Sequence, residues 1–547
     1  MKCKKVLTLA IFTPLLMSCG SSVPFVFEEY DHSFALINTH EELSTSSYYR
    51  PVKQGKIALH GKLEGTEIKD LYSFKNVSEK KYVYNPLSYD EQKGYQQEEF
   101  HLLVVPISYI DSASYGNPSK QQEALIRIQN SFFGSKEHNH YYSVSEFYQR
   151  SSYGHVKLTG EVTPFYEINK RASELENTIS VVETIAADVI GYLHSKDGTP
   201  EAIDWSKYDN NNDDYVDGIY LVYDHPSEVT TQETDLLFWQ VTDKISQGAN
   251  GYTYKNNTEP YMCDFSWSSL DCAGLETISE SNYYIHEMGH LFGLEDYYNT
   301  GTGYYQPTGF LDMMDYNLGD HTAFSKYLLN WTAPTVITDS CSLKLTPFHE
   351  SGEFFLIPAN PKRFNGEKSD HSDRNPTPFD EYLLLEFFAP NDLNDNQYFS
   401  NYRYTNKDKD TKIFTYPDIY GLKVYHVDAR LAYYQNARFN EKVGFVYDEL
   451  TPAQLENCKF VNYGYHNETS KYSKEDVPVL YHLLERSGNN TFIENNSGSN
   501  KTFFQPGDHF GSSVFKDFKF HDGSDLGFTF KYSKFSMSGI TIDFYKK

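Results

Sequence analysis

The chain has no surplus of basic charge: 48 Lys and Arg stand against 75 Asp and Glu, a net charge of −27. That deficit argues against a phosphate-tracking nucleic-acid binder and against a polybasic membrane binder. Cysteine is scarce, six in 547 residues, and no two are spaced C-x-x-C, so neither a dithiol redox site nor a zinc ribbon is encoded. No segment holds eighteen consecutive apolar residues, which argues against a protein with several membrane-spanning helices. No internal repeat is visible, so a solenoid is not expected. What remains is globular in texture, 39% hydrophobic and 22% charged, with 47 Tyr and 38 Phe. A chain of 547 residues exceeds one hydrophobic core, and two to four domains are expected.

The first residues give an address. Lys2, Lys4 and Lys5 precede an apolar stretch from Val6 to Met17, the length of a signal-peptide core and too short to span a bilayer. It ends in Leu16-Met17-Ser18-Cys19-Gly20, which resembles the lipobox of bacterial lipoproteins, where the cysteine carries lipid. Loss of residues 1–18 removes three lysines and no acid, taking the charge from −27 to −30. The expected location is extracytoplasmic, at the cell membrane or cell surface, held by a lipid on Cys19. Cys263, Cys272, Cys341 and Cys458 then remain outside the reducing cytoplasm. The short loop favours a Cys263–Cys272 disulfide, with free buried thiols as the alternative.

Four regions follow from the patterning: a signal peptide at 1–18, a tether and N-terminal region (a propeptide in one reading) at 19–97, a first globular domain at 98–337 and a β-rich region at 338–547. In the third, FHLLVVPISYI from Phe100 reads as a buried strand, 119–132 and 144–152 as helices, and HVKLTGEV as a strand. Residues 178–194 form the clearest amphipathic helix, with apolar positions 181, 182, 185, 189, 190 and 193 on one stripe. A strand is expected at Gly218–Tyr223. After Trp331 the runs FFLIPA, EYLLLEFF, GLKVYHVD, LGFTFKYSK and GITIDFY read as strands of a β-sandwich-like region. The expected fold class is α+β.

The chemistry sits in SESNYYIHEMGHLFGLEDYY, residues 279–298. On a helix, His286 and His290 project from one face a turn apart and can share one zinc ion, with Glu287 aimed at its water. Tyr284, Ile285, Met288, Leu291 and Phe292 supply packing faces, and Ser279 or Ser281 can cap the start. Gly293 can end the helix and reverse the chain, returning Asp296 as a third ligand; Glu295 next to it, or a residue beyond the motif, is the alternative. With 19 His and 38 Glu in 547 positions, H-E-x-x-H arises by chance roughly 0.05 times, and the Gly and Asp offsets lower that further.

H-E-x-x-H-x-x-G-x-x-D resembles the metzincin-type zinc peptidases, and the wider match is similar to the immune inhibitor A family. The carrying segments are SVSEFYQRSSYGHVKLTGEV at 143–162, GFLDMMDYN at 309–317, GDHTAFSKYLLNW at 319–331, EYLLLE and GLKVYHVD. The resemblance implies a metzincin-like catalytic domain over 98–337, with Met314 as the Met-turn residue beneath the metal. It implies for Tyr316, two residues on, a role at the metal or the oxyanion. The implied reaction is peptide hydrolysis: zinc acidifies a water, Glu287 takes its proton and passes it to the leaving amine.

DNNNDDYVDG at 209–218 spaces Asp209, Asn211, Asp213 and Asp217 as oxygen ligands for calcium, with the Tyr215 carbonyl available. It is not an EF-hand, and a solvated turn is the other reading. His426 and Asp428 share a strand face, and a buried hydrogen-bonded pair is favoured over a second site. His225 and His321 show no partner pattern. The expectation is therefore a monomeric, lipid-anchored zinc endopeptidase acting on proteins or peptides, with calcium as a second ion. The rival is a surface binding or adhesion lipoprotein carrying a silent peptidase-like domain, against which the intact Glu287 argues.

Overall fold

A computed structural model describes two short strands at 49–51 and 58–60 and most of residues 98–547, without 200–201, 211–214, 217, 228–236, 245–260, 263, 275–277, 293, 295, 299–305, 330, 333, 338, 359–380, 400–401, 406–410, 429–430, 433–436, 441–443, 448–458, 461–480, 495 and 521–522. The two short strands pair antiparallel. The rest of the N-terminal region, including Cys19, lies outside the described residues. Among the described residues no helix is long and apolar enough to cross a membrane.

The first sheet is built on β1 (Glu98–Tyr109), β2 (Val156–Val162), β3 (Tyr166–Ile168), β4 (Ile219–Tyr223), β5 (Val241–Lys244) and β6 (Asp264–Ser269). Its order is β2-β1-β4-β6-β5, with β3 continuing beside β1. All pairings are parallel except β5, which runs antiparallel to β6 at the sheet's edge. Alternation along β1 sorts its side chains, as a two-residue period requires. Leu103, Val105 and Ile107 face α3 (Ile179–His194), whose Val182, Ile185, Val189 and Ile190 complete that core. On the opposite face Leu102 and Val104 meet α1 (Pro118–Phe133), α2 (Val144–Ser151) and α4 (Asn282–Leu291) through Ile128, Phe132, Phe147, Tyr148, Tyr284 and Met288. Two short helices follow, α5 (Met313–Tyr316) and α6 (Ala323–Leu328).

The chain then builds a two-sheet sandwich. Its strands are β7 (Thr335–Val336), β8 (Cys341–Leu345), β9 (Phe354–Pro358), β10 (Glu381–Phe388), β11 (Gly421–Asp428), β12 (Tyr481–Leu483), β13 (His509–Phe510), β14 (Phe528–Ser536) and β15 (Gly539–Lys546). One sheet runs β7-β9-β10-β11-β12, the other β8-β15-β14-β13. Phe355, Ile357, Leu383, Leu385 and Val424 face Phe530, Tyr532, Ile542 and Phe544 between the sheets. The α+β class and the β-rich C-terminal half are thus observed. Residue 337 is not a seam between separate cores, however. Phe354, Leu356, Tyr382, Leu384 and Val427 point the other way, into the same core as the helix bearing the histidines. β7, before that residue, already pairs with β9 of the sandwich.

Buried charges tie these layers together. Lys326 on α6 lies 2.6 Å from Asp320, with the two side chains 0% and 3% exposed. Ser151 of α2 also donates to Asp320. On β10 and β11, Glu386 pairs with Lys423 at 3.2 Å and accepts from the Ala323 backbone at the start of α6. Removing one partner of a buried pair strands the other charge. Lys326→Met is therefore expected to cost about 3–5 kcal/mol in urea denaturation, with partial recovery on adding Asp320→Asn. Stability within about 1 kcal/mol of the parent would contradict that role for the pair.

Candidate metal centre

The helix α4 forms as its pattern predicts, with Tyr284, Ile285 and Met288 fully buried. Ser281 occupies the N-cap position, but its hydroxyl donates to the Tyr142 carbonyl instead of capping the helix. The helix ends at Leu291, and Leu294 N–H donates back to the Gly289 carbonyl, reversing the chain. Gly293 and Glu295 lie outside the described residues. Tyr297 N–H then donates to the Met314 carbonyl at 3.1 Å, which pins the returning segment to α5.

That reversal delivers Asp296 to the histidines. Its Oδ1 is 2.9 Å from His286 Nε2 and 3.3 Å from His290 Nε2. Among the described residues these three form the one His/Cys/Asp/Glu group whose ligand atoms all lie within 4.8 Å of one another. Each ring is aimed by its other nitrogen. His286 Nδ1 is 2.8 Å from the Met313 carbonyl, and His290 Nδ1 is 2.8 Å from the Leu294 carbonyl. A carbonyl only accepts, so both Nδ1 atoms carry hydrogen and both Nε2 atoms turn toward Asp296.

A carboxylate facing two Nε2 atoms calls for positive charge between them, either protons or a metal ion. Without metal, burial depresses the His290 imidazole, but the Asp296 carboxylate and its hydrogen bond outweigh that and raise its pKa to about 10. Burial likewise pushes Asp296 up, yet His290 and the two imidazole hydrogen bonds hold it well below the carboxylate range. Two nitrogens and one oxygen, with outer-shell hydrogen bonds in place, suit zinc with a coordination position left over.

Glu287 is 5% exposed on the same helix. Burial raises its pKa, against the pull of His290, His286 and a hydrogen bond from Thr242. Thr242 belongs to β5, and its Oγ1 is 3.0 Å from Glu287 Oε2. Nothing in the short, polar VTDK segment marks it as a strand, so sequence reasoning missed both the strand and this contact. Tyr298 was missed as well; its ring lies nearly parallel to that of His286, centroids 6.5 Å apart.

Beneath the helix, a Cβ on Gly289 would stand 2.5 Å from Met314 Sδ, so only glycine lets that thioether pack there. Met314 thus packs against the helix that carries the two histidines, and its part as a Met-turn residue remains an expectation. Tyr316 ends α5 with its ring edge-on to Phe310 at 4.5 Å, and its part in chemistry remains an expectation. Asp312 holds the turn by accepting from Met314 N–H and from the Thr322 backbone and hydroxyl. Asp315 accepts from Thr308 N–H, Thr308 Oγ1 and Phe310 N–H. Burial raises these carboxyls to about 6 and about 8 respectively.

Other expectations fare differently. The Cys263–Cys272 disulfide is not formed: Cys272 is a free thiol buried in the core, 3.3 Å from Gln240 Nε2, and Cys263 lies outside the described residues. Core packing, not loop length, decides where that sulfur goes. Burial pushes its thiol up to about 12. Of the proposed calcium ligands, Asn211, Asp213 and Asp217 lie outside the described residues; Asp209 is described, and the Tyr215 backbone, whose carbonyl was the further ligand, belongs to a two-residue strand, Tyr215–Val216, paired parallel with Tyr261–Met262. His426 is buried as expected, but its Nε2 meets Glu381 at 2.8 Å. The Asp428 side chain, its expected partner, lies outside the described residues. His225 stacks on Phe238 at 3.9 Å, and His321 sits among Phe147, Tyr148 and Trp331. The chain matches no protein-family model and no curated protein.

Two outcomes follow. Metal-stripped protein is expected to take up one zinc ion per chain at this centre. His290→Ala is expected to weaken uptake at least about 100-fold, since even outer-shell partners are worth about 10–100-fold; unchanged affinity would exclude His290 as a ligand. Separately, a raised carboxyl keeps its proton in the folded state while the unfolded chain has released it. Stability from Asp315 therefore falls as pH rises from about 4 to about 8. Metal-free parent should lose up to about 1.4 kcal/mol per pH unit more than Asp315→Asn across that window, read from thermal melts. Parallel profiles would contradict a buried neutral acid.

Proposed function

We propose that this chain is a zinc endopeptidase that hydrolyses peptide bonds of proteins outside the cytoplasm, tethered to a membrane by lipid on Cys19. The observation that carries the reading is the meeting of His286 Nε2, His290 Nε2 and Asp296 Oδ1 around one point, with Glu287 on the same helix. His286, His290 and Asp296 would hold the metal. When bound, zinc supplies Lewis acidity, which acidifies a water and polarises a carbonyl.

The chain's own residues divide the remaining work. Glu287, buried and with a raised pKa, is poised to accept a proton from water and return it to the departing amine. Thr242 engages Oε2, and Oε1 is the oxygen left for the water. Among the described residues β5 ends the sheet beside Glu287, and its outer edge offers main-chain hydrogen bonds to an extended peptide. Such pairing would orient a protein substrate with little regard to its side chains.

A metzincin-like assignment, akin to immune inhibitor A, belongs to the same proposal. It is supported by the mostly parallel sheet with one antiparallel edge strand, by the H-E-M-G-H helix and by Met314 packed under Gly289. The decisive test is hydrolysis of fluorescently labelled casein by zinc-loaded protein beside Glu287→Gln. Loss of a general base is expected to lower kcat by about 10²–10⁴-fold, with zinc content equal in both proteins. Equal rates in the two proteins, or none in the zinc-loaded parent, would reject the peptidase reading.

A further inference from the structure

A chain of two hydroxyls leads from inside the first sheet to the Glu287 carboxylate. Thr242 on β5 and Ser266 on β6 are direct cross-strand partners, so their side chains share a face. Their oxygens are 2.7 Å apart. Thr242 Oγ1 is 3.0 Å from Glu287 Oε2 and 3.1 Å from the Glu287 carbonyl, while Ser266 Oγ is 3.3 Å from that carbonyl. Each hydroxyl has one proton to give. If Ser266 gave its proton to the carbonyl and Thr242 gave its own to the carboxylate, two oxygens would face each other at 2.7 Å with no hydrogen between them. Of the arrangements without that clash, the one that gives the carboxylate a donor has Ser266 donating to Thr242 and Thr242 donating to Glu287 Oε2, and a charged acceptor takes the Thr242 proton in preference to the neutral carbonyl.

Among the described residues, Thr242 is the one donor to this carboxylate. Ser266 is fully buried and Glu287 nearly so, while Thr242 between them is half-buried. A Glu side chain has three rotatable bonds, and one charge-assisted hydrogen bond at its tip selects among their rotamers. The bond also fixes which oxygen is occupied, leaving Oε1 for the proton transfer.

We infer that Thr242 is a positioning residue for the reaction: with Ser266 behind it, its hydroxyl holds Glu287 so that Oε1 faces the reacting water. This rests on the peptidase reading and adds to it the strand residue on which the base depends. The role is orientation, so removing the hydroxyl should lower kcat and spare both metal and substrate binding.

The test uses the zinc-loaded full chain and a fluorogenic peptide chosen from its casein cleavage sites. Thr242→Val keeps the shape and deletes the hydroxyl; it is expected to lower kcat about 10-fold, the order set by losing one hydrogen bond to a charged group, with KM and zinc content unchanged. Thr242→Ser should recover most of that loss. Ser266→Ala, one step removed, should lower kcat about 3-fold. A Thr242→Val protein with parental kcat overturns the inference while leaving the peptidase intact. So does a loss that Thr242→Ser fails to rescue, which would mark a packing role, or a change confined to KM or zinc content. A parent with no Glu287-dependent hydrolysis removes the peptidase reading first, and this inference with it.

Discussion

Two hydrogen bonds from histidine Nδ1 atoms to main-chain carbonyls organise the centre. One reaches the Met313 carbonyl and the other the Leu294 carbonyl, each at 2.8 Å. Helical spacing alone puts both imidazoles on one face of α4, but it leaves each ring free to rotate. The carbonyls remove that freedom and send both Nε2 atoms to the same place. They come from two different segments, the reversal after the helix and the turn at α5, so both segments must be in position before the centre exists. The bond from Tyr297 N–H to the Met314 carbonyl couples the two segments directly.

Everything behind that turn serves to hold it. Asp312 and Asp315, both fully buried, take up its backbone N–H groups, at the cost of carboxyl groups that ionise reluctantly. Lys423 on β11 pairs with Glu386 and donates to the Leu311 carbonyl, one residue before Asp312. Glu386 in turn accepts from the start of α6. The β-rich half is thus a wall of the centre: one face of its inner sheet closes the core that holds α4, and its charged residues reach the turn. The outer sheet then covers the remaining apolar face of the inner one.

Much of this could be read from the residues, for reasons that also mark where reading stops. β1 and β10 are apolar runs buried on both faces, and α1 and α3 carry apolar stripes at helical spacing, so burial alone dictates their form. His286, Glu287, His290 and Asp296 were visible because a helical spacing and the chain reversal after Leu291 bring together residues close in the chain. β5 was invisible: four residues, two of them charged, become a strand only because β6 lies beside them. Thr242 therefore had no local signature, its partner Glu287 being 45 positions away. The disulfide expectation failed because loop length says nothing about which way a cysteine faces; Cys272 turns into the core. Nor could the strand that carries His426 announce Glu381, which the sheet supplies from the neighbouring strand 45 positions away.

The central claim is that His286, His290 and Asp296 hold one metal ion through Nε2, Nε2 and a carboxylate oxygen. Anomalous diffraction from crystals of the zinc-loaded protein, recorded on both sides of the zinc absorption edge, tests it most directly. The account predicts one strong peak at about 2.0–2.2 Å from those three atoms, with both Nδ1 bonds to the Met313 and Leu294 carbonyls retained. A peak elsewhere, or rings that abandon those carbonyls to reach the metal, would contradict it.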